Sequence, residues 1–309
     1  MATHSRGTHT VEVLQVGDSL AEIVVSSGAA LGRLCLAGRE VASAWLERDP
    51  YNERYRGALL APWPNRVQGA TYDFAGKNYQ LAVTEPQLGH ALHGLLARVP
   101  FAVVARHSES DVCRLVVEHH YLGTHPGFPF AFRVHATWVL TVAGLELRVE
   151  ATNTGSQSMP FGVGWHPYFS LGGSVGDLHL RVPARAEYAT DAAMIPTGQR
   201  YADPEVARGA AIGERQFDTL YALQTMQGTA QTRLWDPRTG DGIELWQTTG
   251  PGGLNYLCAF VPPDRQSIAL EPMSCAIDSF HSGDGLAVLA PGASFAATMG
   301  VCRLVRGAP

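Results

Sequence analysis

Three short segments set titratable side chains in apolar or aromatic surroundings. His93 lies in the segment GHALHG (89–94), and His166 lies in the aromatic segment GWHPYF (164–169). The apolar run that begins at residue 268 ends in Glu271. A titratable side chain beside apolar strand residues is costly unless it is paired or used in chemistry. These residues therefore predict either a buried Glu–His or Glu–Arg pair or the two partners of general acid–base catalysis.

A proline follows both His166 and Glu271 in the chain. The residue before a proline is restricted to extended backbone, and proline is confined to particular positions in strands. We therefore expect both His166 and Glu271 to stand at the end of a strand.

Another group of histidines, formed by His119, His120 and His125, has the donor types of a metal site. If the segment is a strand, adjacent side chains point to opposite faces, so His119 and His120 cannot easily share one ion. We therefore expect no metal site in this chain.

The sequence predicts that the elements holding these residues are short strands. Glycine (33 residues) and proline (19 residues) divide the chain, and the hydrophobic period between them is two. The clearest runs are 132–142 and 145–151, which alternate apolar and polar residues on either side of Ala143-Gly144 and so predict a hairpin. Two further hairpins are predicted at 72–81, turning at 75–77, and at 238–246. The segment 40–46 could carry a turn or two of helix.

Many short antiparallel strands imply two large sheets packed face to face. The 309 residues contain no linker-like or low-complexity tract, so we expect one domain spanning 1–309. The predicted fold class is all-β, a large antiparallel β-sandwich. The periodicity does not decide whether a ligand binds in the end loops or on a concave sheet face.

Charge and cysteine content narrow the partners and the compartment. The net charge is −5, and no basic stripe points to nucleic acid, so a neutral or weakly charged small ligand is expected. The five cysteines are scattered without a CxxC pair, which is typical of reduced thiols. We find no signal peptide and no apolar stretch long enough to cross a bilayer. The sequence predicts a cytoplasmic protein that binds neither nucleic acid nor membrane.

Several segments resemble, in the same order, the motifs of the aldose 1-epimerase (galactose mutarotase) family. They are APWPNR (61–66), LHG (92–94), WHPYF (165–169) and LEP (270–272), with FD (217–218) a further match. The resemblance runs from about Asp18 to Val305. It implies the galactose mutarotase-like supersandwich and an enzyme that interconverts the α and β anomers of a free aldose.

The resemblance also implies roles for individual residues. Glu271 would be the base and His166 the acid, while His93 would bond to the oxygen that develops charge. These roles imply a bell-shaped pH profile whose acidic limb belongs to the glutamate and whose alkaline limb belongs to the histidine. The residues implied in sugar binding are Asn65, Arg66, Asp218 and, as an aromatic platform, Trp165, with Trp63, Tyr168 and Phe260 as further aromatic candidates. Since no electrons move in such a reaction, neither a cofactor nor a metal is expected.

The segment EPMSCAIDSF (271–280) departs from the form of the galactose enzymes. It is closer to a bacterial branch of the family, some members of which are linked to sulfosugar catabolism. Two alternatives therefore stay open: a mutarotase of a modified sugar, such as a sulfosugar or a hexose phosphate, and a non-catalytic carbohydrate-binding domain. A glycosidase would normally need two carboxylates flanking the bond and would leave the histidines unexplained.

Overall fold

The computed structural model describes residues 1–43, 55–224 and 228–304. The strands of the first half are β1 Ala2–Arg6, β2 His9–Val16, β3 Ser19–Val24, β4 Ala30–Leu36, β5 Arg39–Ser43, β6 Leu59–Leu60, β7 Arg66–Val67, β8 Thr71–Phe74, β9 Lys77–Gln80, β10 Ala91–Leu92, β11 Ala102–Ser108, β12 Val112–Tyr121, β13 Phe132–Thr141 and β14 Gly144–Asn153. The strands of the second half are β15 Met159–Phe161, β16 Gly164–Trp165, β17 Tyr168–Phe169, β18 His179–Arg181, β19 Ala184–Thr190, β20 Pro196–Tyr201, β21 Ala210–Ala211, β22 Asp218–Leu223, β23 Gly228–Trp235, β24 Gly242–Thr249, β25 Tyr256–Phe260, β26 Ile268–Met273, β27 Ala287–Leu289 and β28 Ser294–Leu304. The helices are α1 Pro204–Arg208 and α2 Ser279–Ser282, with 3-10 turns at Gln68–Ala70 and Val175–Asp177.

Three antiparallel sheets contain most of the strands. A five-stranded meander runs β1-β2-β3-β4-β5, and a nine-stranded sheet runs β11-β12-β13-β14-β28-β24-β23-β18-β21. A third sheet runs β20-β19-β22-β25-β26-β16-β6, with β17 also paired to β26. The all-β prediction is confirmed. Within the described residues, no helix is long and apolar enough to span a membrane.

The predicted hairpin of β13 and β14 forms the third and fourth strands of the nine-stranded sheet. Alternate residues of β13 are buried, from Phe132 to Leu140, and the same holds for β14, from Leu145 to Asn153. Val142 lies in the turn and is exposed, so the predicted inward run ends two residues early. Hairpins β8–β9 and β23–β24 are also present as predicted.

The inner face of this sheet packs on the sheet that contains β26. The ring of Trp138 on β13 lies 5.7 Å from that of Trp165 on β16, and Phe132 lies 5.9 Å from Phe161. One cluster of buried residues extends from Leu14 to Val301 and includes all three large sheets. The face-to-face packing is that of a sandwich.

Strand β26 differs from the alternating strands because every residue in it is buried. It continues through Pro272 to Met273, so the prediction that Glu271 ends a strand is wrong. The amides of Leu270 and Ser274 donate to Pro167 and Val163 on the β16–β17 side, and by alternation the nitrogen of Pro272 faces the same side. The ladder is interrupted there, so proline costs no hydrogen bond.

The predicted turn of helix at 40–46 is also wrong where the structure describes it. Residues 39–43 form β5, which pairs with β4 through Leu36↔Arg39 and Leu34↔Ala42. Cross-strand pairing supplies the hydrogen bonds that an isolated turn of helix would leave to water. The remaining residues of that segment, 44–46, lie outside the described residues.

Candidate active site

The cross-strand register of the β26 sheet sets two acidic side chains on one face of the sheet. Glu271 on β26 stands opposite Cys258 on β25, while Phe260 on β25 stands opposite Asp218 on β22. Side chains two residues apart on a strand share a face, so Cys258 and Phe260 bring Glu271 and Asp218 to the same side. Strand pairing thus brings together two of the predicted site residues that are far apart in sequence.

His166 occupies the interruption between β16 and β17, directly beside β26. Its amide donates to the carbonyl of Ala58 (3.1 Å), and its carbonyl accepts from the amide of Gly57 (2.8 Å). The imidazole stacks on Tyr168 with ring centroids 5.0 Å apart. These contacts hold Nε2 of His166 at 3.4 Å from Oε1 of Glu271. The structure therefore brings together the predicted acid and base.

Asn65 and His93 are joined by two reciprocal hydrogen bonds. The amide of Asn65 donates to Nδ1 of His93 (3.2 Å), and the amide of His93 donates to the carbonyl of Asn65 (2.9 Å). Both residues have left-handed backbone, with φ of 58° and 61°. Such a conformation is rare in non-glycine residues and occurs where the surrounding structure enforces it, often at functional sites. Asn65 thus positions His93 as well as lining the site.

The residue after His93 must be a glycine for a steric reason. Gly94 has φ of 72°, and a Cβ at this position would lie 2.3 Å from the carbonyl oxygen of Ala61. That carbonyl accepts from the amides of Leu95 and Leu96. A side chain at Gly94 would push the His93 loop off the 61–66 segment.

Arg66 is held by a carboxylate that the sequence did not reveal. Its Nε and one terminal nitrogen, Nη2, donate to the two oxygens of Glu85, each at 2.9 Å. The backbone of Arg66 is fixed by β7–β10 pairing and by the amide of Asp278, which donates to its carbonyl. Burial lowers the pKa of the guanidinium, but the bonds to Glu85 and the charge of Asp218 outweigh it, so the pKa is raised.

These side chains line one open cavity of about 170 Å³. Eight of the residues named from the sequence are among its walls: Asn65, Arg66, His93, His166, Tyr168, Asp218, Phe260 and Glu271. Leu92 and the aromatic ring of Tyr55 complete the lining. Polar side chains with apolar faces between them suit a ligand that has both hydroxyl groups and C–H surface.

The prediction that Trp165 contacts the sugar is wrong. Its side chain is fully buried, its indole N–H donates to the carbonyl of Gly57 (3.1 Å), and its ring packs on Trp138. Trp63 is also buried, against Phe128 and Phe280. The aromatic residues of the WHPYF segment lie on two sides of the sheet because alternate strand residues face opposite sides. Trp165 faces the core, whereas Tyr168 lines the cavity.

Burial determines the protonation of the acid–base pair. It raises the pKa of Glu271 well above the usual range, with the charge of Asp218 adding to the effect. It lowers the pKa of His166, and Arg56 adds to that shift. Both shifts disfavour the charged form, so burial favours a carboxylic acid beside a neutral imidazole. The predicted carboxylate and imidazolium would require contacts that offset this effect of burial.

Burial, together with the nearby His166, Arg66 and Arg98, also lowers the pKa of His93. Because its Nδ1 accepts from the amide of Asn65, the hydrogen of the neutral ring is on Nε2. His93 can therefore donate a hydrogen bond through Nε2 to an oxygen.

His93, His166 and Glu271 also have donor atoms within 4.8 Å of one another, close enough to be tested as ligands of an ion. A metal bound to Nε2 of His93 would require the hydrogen on Nδ1, where it would oppose the amide of Asn65. The fixed tautomer of His93 therefore fits a hydrogen-bond donor and does not fit a metal ligand.

The histidines that resembled a second metal site are separated. Nδ1 of His119 bonds to the carbonyl of Pro100, whereas His120 and His135 lie against Glu118 on the exposed face. His125 accepts through Nδ1 from the amide of Gly127. These positions agree with the strand alternation from which the shared site was rejected.

Comparison with known proteins agrees with this architecture. The family model for aldose 1-epimerase matches residues 5–302. An uncharacterized protein of Escherichia coli strain K12, YihR, is 27% identical over 289 residues, which cover 90% of this chain and 88% of that protein. The galactose mutarotase of Homo sapiens is 26% identical over 208 residues, covering 62% of this chain and 58% of the human protein.

Among solved structures, a galactose mutarotase-like protein from Clostridium acetobutylicum superimposes with a TM-score of 0.87 at 18% identity. The match covers 98% of this chain and 97% of that one, so the fold is that of the galactose mutarotase-like β-sandwich. The family match spans nearly the whole chain and includes every residue of the cavity. This chain belongs to the aldose 1-epimerase family, whose members are isomerases.

Proposed function

We propose that this chain interconverts the α and β anomers of a free, uncharged aldose, with Glu271 and His166 moving the protons. The observation that carries the proposal is the 3.4 Å approach of a buried carboxyl group and a buried imidazole in the cavity wall. The hydroxyl oxygen and the ring oxygen of a cyclic aldose are both bonded to C1. An acid and a base that act on them must therefore be close neighbours.

The chemistry needs one proton removed and one delivered. Glu271 takes the proton of the C1 hydroxyl while His166 gives a proton to the ring oxygen, and the bond between C1 and the ring oxygen breaks. Rotation about C1–C2 and the reverse transfers close the ring as the other anomer. The resting pair already carries the one proton this requires, and hydroxyl donors that bond to Glu271 would favour its ionised form and move that proton to His166. His93 donates through Nε2 to the ring oxygen as charge develops there.

Other side chains of the cavity would hold the polyol. Arg66 has donors left on Nη1, and Asp218 can accept from two hydroxyls. Tyr55, Tyr168 and Phe260 offer apolar ring surface to the C–H face of a sugar. These contacts are made before and during the reaction alike, so they should govern binding more than turnover.

The charges favour an uncharged aldose over a sulfonated or phosphorylated one. Among the described residues that line the cavity, Arg66 is the cation, and its charge is already matched by Glu85. Asp218 and Glu271 add two acidic groups. An anionic group on the sugar would meet no unmatched cation there. A purely sugar-binding domain would have no use for the buried acid–base pair, whose burial is costly.

The proposal is tested by anomer exchange over a sugar panel, followed by polarimetry or NMR. The panel pairs neutral hexoses such as galactose and glucose with their 6-phosphates and a 6-sulfonate. We expect exchange above the spontaneous rate for a neutral aldose, unchanged after treatment with a chelator. No acceleration for any neutral sugar, or faster exchange of the anionic sugars, would contradict the proposal.

We also propose that the chain works in a reducing compartment such as the cytoplasm. The five cysteines, Cys35, Cys113, Cys258, Cys275 and Cys302, are all free thiols. Disulfides persist mainly in oxidising compartments. A non-reducing peptide map of protein isolated under alkylating conditions tests this, and a native disulfide would contradict it.

A further inference from the structure

Glu85 lies just outside the cavity and pairs with the guanidinium of Arg66, which lines it. Its two oxygens receive Nε and Nη2 of Arg66 in a bidentate pair, and the two side chains are only 10% (Arg66) and 14% (Glu85) exposed. A bidentate pair of this kind fixes the plane of the guanidinium as well as its charge. Nη1 donates to the side-chain oxygen of Asn65 at 3.5 Å, and the remaining hydrogens of Nη1 and Nη2 are left as donors.

Glu85 is itself firmly held. Its amide donates to the carbonyl of His90, and its carbonyl accepts from the amides of Leu88, Gly89 and His90. His90 in turn accepts through Nδ1 from Gly69 and bonds through Nε2 to the carbonyl of Ala193. The 85–90 loop is therefore anchored on two sides, so the carboxylate cannot easily follow Arg66 toward a ligand.

We propose that Glu85 is a specificity-determining residue that makes the Arg66 site select a hydroxyl group and reject an oxyanion. Glu85 occupies the Nε–Nη2 edge of the guanidinium, so an oxyanion is left the Nη1–Nη2 edge of a cation whose charge Glu85 already balances. An oxyanion bound at that edge would add a negative charge beside Asp218 and Glu271 with no unmatched cation to balance it, which is a strong penalty. A hydroxyl carries no charge and needs only one of the remaining donors. This inference rests on the proposed function, since it concerns the sugar specificity of the same cavity.

The test uses inorganic sulfate as a probe, because sulfate does not depend on how a sugar lies in the cavity. Glu85→Gln keeps the size of the side chain and removes the charge. Sulfate binding is measured by calorimetry, and inhibition of galactose exchange is measured with chloride substituted at equal ionic strength. We expect no sulfate effect on the wild type and, in Glu85→Gln, competitive inhibition that raises the apparent KM several-fold with kcat unchanged.

Two controls separate specificity from simple loss of structure. Glu150→Gln removes the carboxylate paired with Arg148 on the outer sheet face and should leave the wild-type behaviour. The double variant Arg66→Ala with Glu85→Gln should lose the sulfate effect, because the oxyanion would have lost its guanidinium. Glu85→Asp restores the charge and should again exclude sulfate.

The inference is overturned if Glu85→Gln remains folded and binds sulfate no better than the wild type, or if its sulfate binding survives removal of Arg66. If Glu85→Gln fails to fold, Glu85→Ala combined with the calorimetric readout at lower temperature serves instead. Calorimetry does not require turnover, so a wild type that exchanges no sugar would reject the proposed function while the sulfate result still decides the role of Glu85.

Discussion

Two halves of the cavity are built in different ways. Glu271 and Asp218 are held by strands whose register is set by continuous ladders of hydrogen bonds on β22, β25 and β26. Asn65 and His93 are held by loops in which two left-handed residues bond to each other. The strand half is secured by many cooperative bonds, whereas the loop half depends on a few specific ones.

This difference shows which contacts position each side chain of the site accurately. The position of a strand residue tolerates substitution because the neighbouring hydrogen-bonded pairs preserve it. A left-handed loop residue shifts if one of its partners changes. His166 lies between the two halves, fixed through its backbone by the 57–58 segment and in ring contact with His93, 5.0 Å away. We therefore expect substitution of Glu271 in the strand half to act on chemistry, and substitution of Asn65 or Arg66 beside the loops to act on binding and alignment.

The largest effect is expected for His166→Ala. Loss of the proton donor should lower kcat by about a hundredfold to ten-thousandfold while sugar binding persists. The double variant with Glu271→Gln should be little slower than the worse single variant, because the two groups act as a unit. Anomer-exchange kinetics together with calorimetric sugar binding measure both; independent, multiplying losses would separate the two residues.

The pH profile of kcat/KM tests how the pair holds its proton. Acidification adds a second proton at His166, whose pKa burial lowers, so the acidic limb should lie below the ordinary imidazole value of about 6.5. Alkalinisation removes the remaining proton from Glu271, whose pKa burial raises, so the alkaline limb should lie above the ordinary carboxyl value of about 4.3. This reverses the limbs predicted from sequence. An acidic limb at or above the ordinary imidazole value would contradict the lowered pKa of His166.

In the loop half, Arg66→Ala should act mainly on KM. A hydrogen bond to a charged group is worth about 1.5–3 kcal/mol, which corresponds to roughly a tenfold to hundredfold rise in KM. Because Glu85 would be left without its partner, the thermal midpoint is measured alongside the kinetics. A large fall in kcat at constant KM would show that Arg66 takes part in the chemical step.

Asn65 offers a matched pair of smaller changes. Asn65→Gly accommodates φ of 58° and keeps the amide that donates to His93, so kcat should stay within a few-fold of the wild type. Asn65→Val adds a β-branched side chain at a left-handed position, which should displace that amide and lower both kcat and stability further. Equal kinetics and equal melting temperatures in the two variants would show that the left-handed geometry is unimportant.

The smallest catalytic effect is expected for Trp165→Phe. The change removes the indole N–H bond to Gly57 and leaves a gap against Trp138. We expect a loss of about 1–3 kcal/mol in the free energy of unfolding and an unchanged KM. Denaturant titration and exchange kinetics check the two parts, and a clear rise in KM without loss of stability would restore Trp165 as a sugar contact.

The same division explains what the sequence could predict. The alternating run at 132–140 predicted its hairpin because one face of that strand is solvated. The motif segments contain His93, His166 and Glu271, which line one cavity. The pairing of Glu85 with Arg66 could not be predicted from the sequence, because it depends on a loop that folds back beside Arg66. Trp165 was misjudged because its neighbours in the motif line the cavity and only the strand geometry turns it inward. The protonation of the pair depended on burial, which a sequence does not give.

The most direct test compares wild type and Glu271→Gln by NMR exchange spectroscopy on the anomers of galactose, with sugar binding measured on the same samples. The glutamine keeps the shape of the side chain and cannot accept the proton of the C1 hydroxyl. The account predicts rapid exchange in the wild type and a rate near the spontaneous one in Glu271→Gln, with comparable affinity for the sugar. Near-normal exchange in the variant would contradict it and would make Asp218 the first candidate for the base.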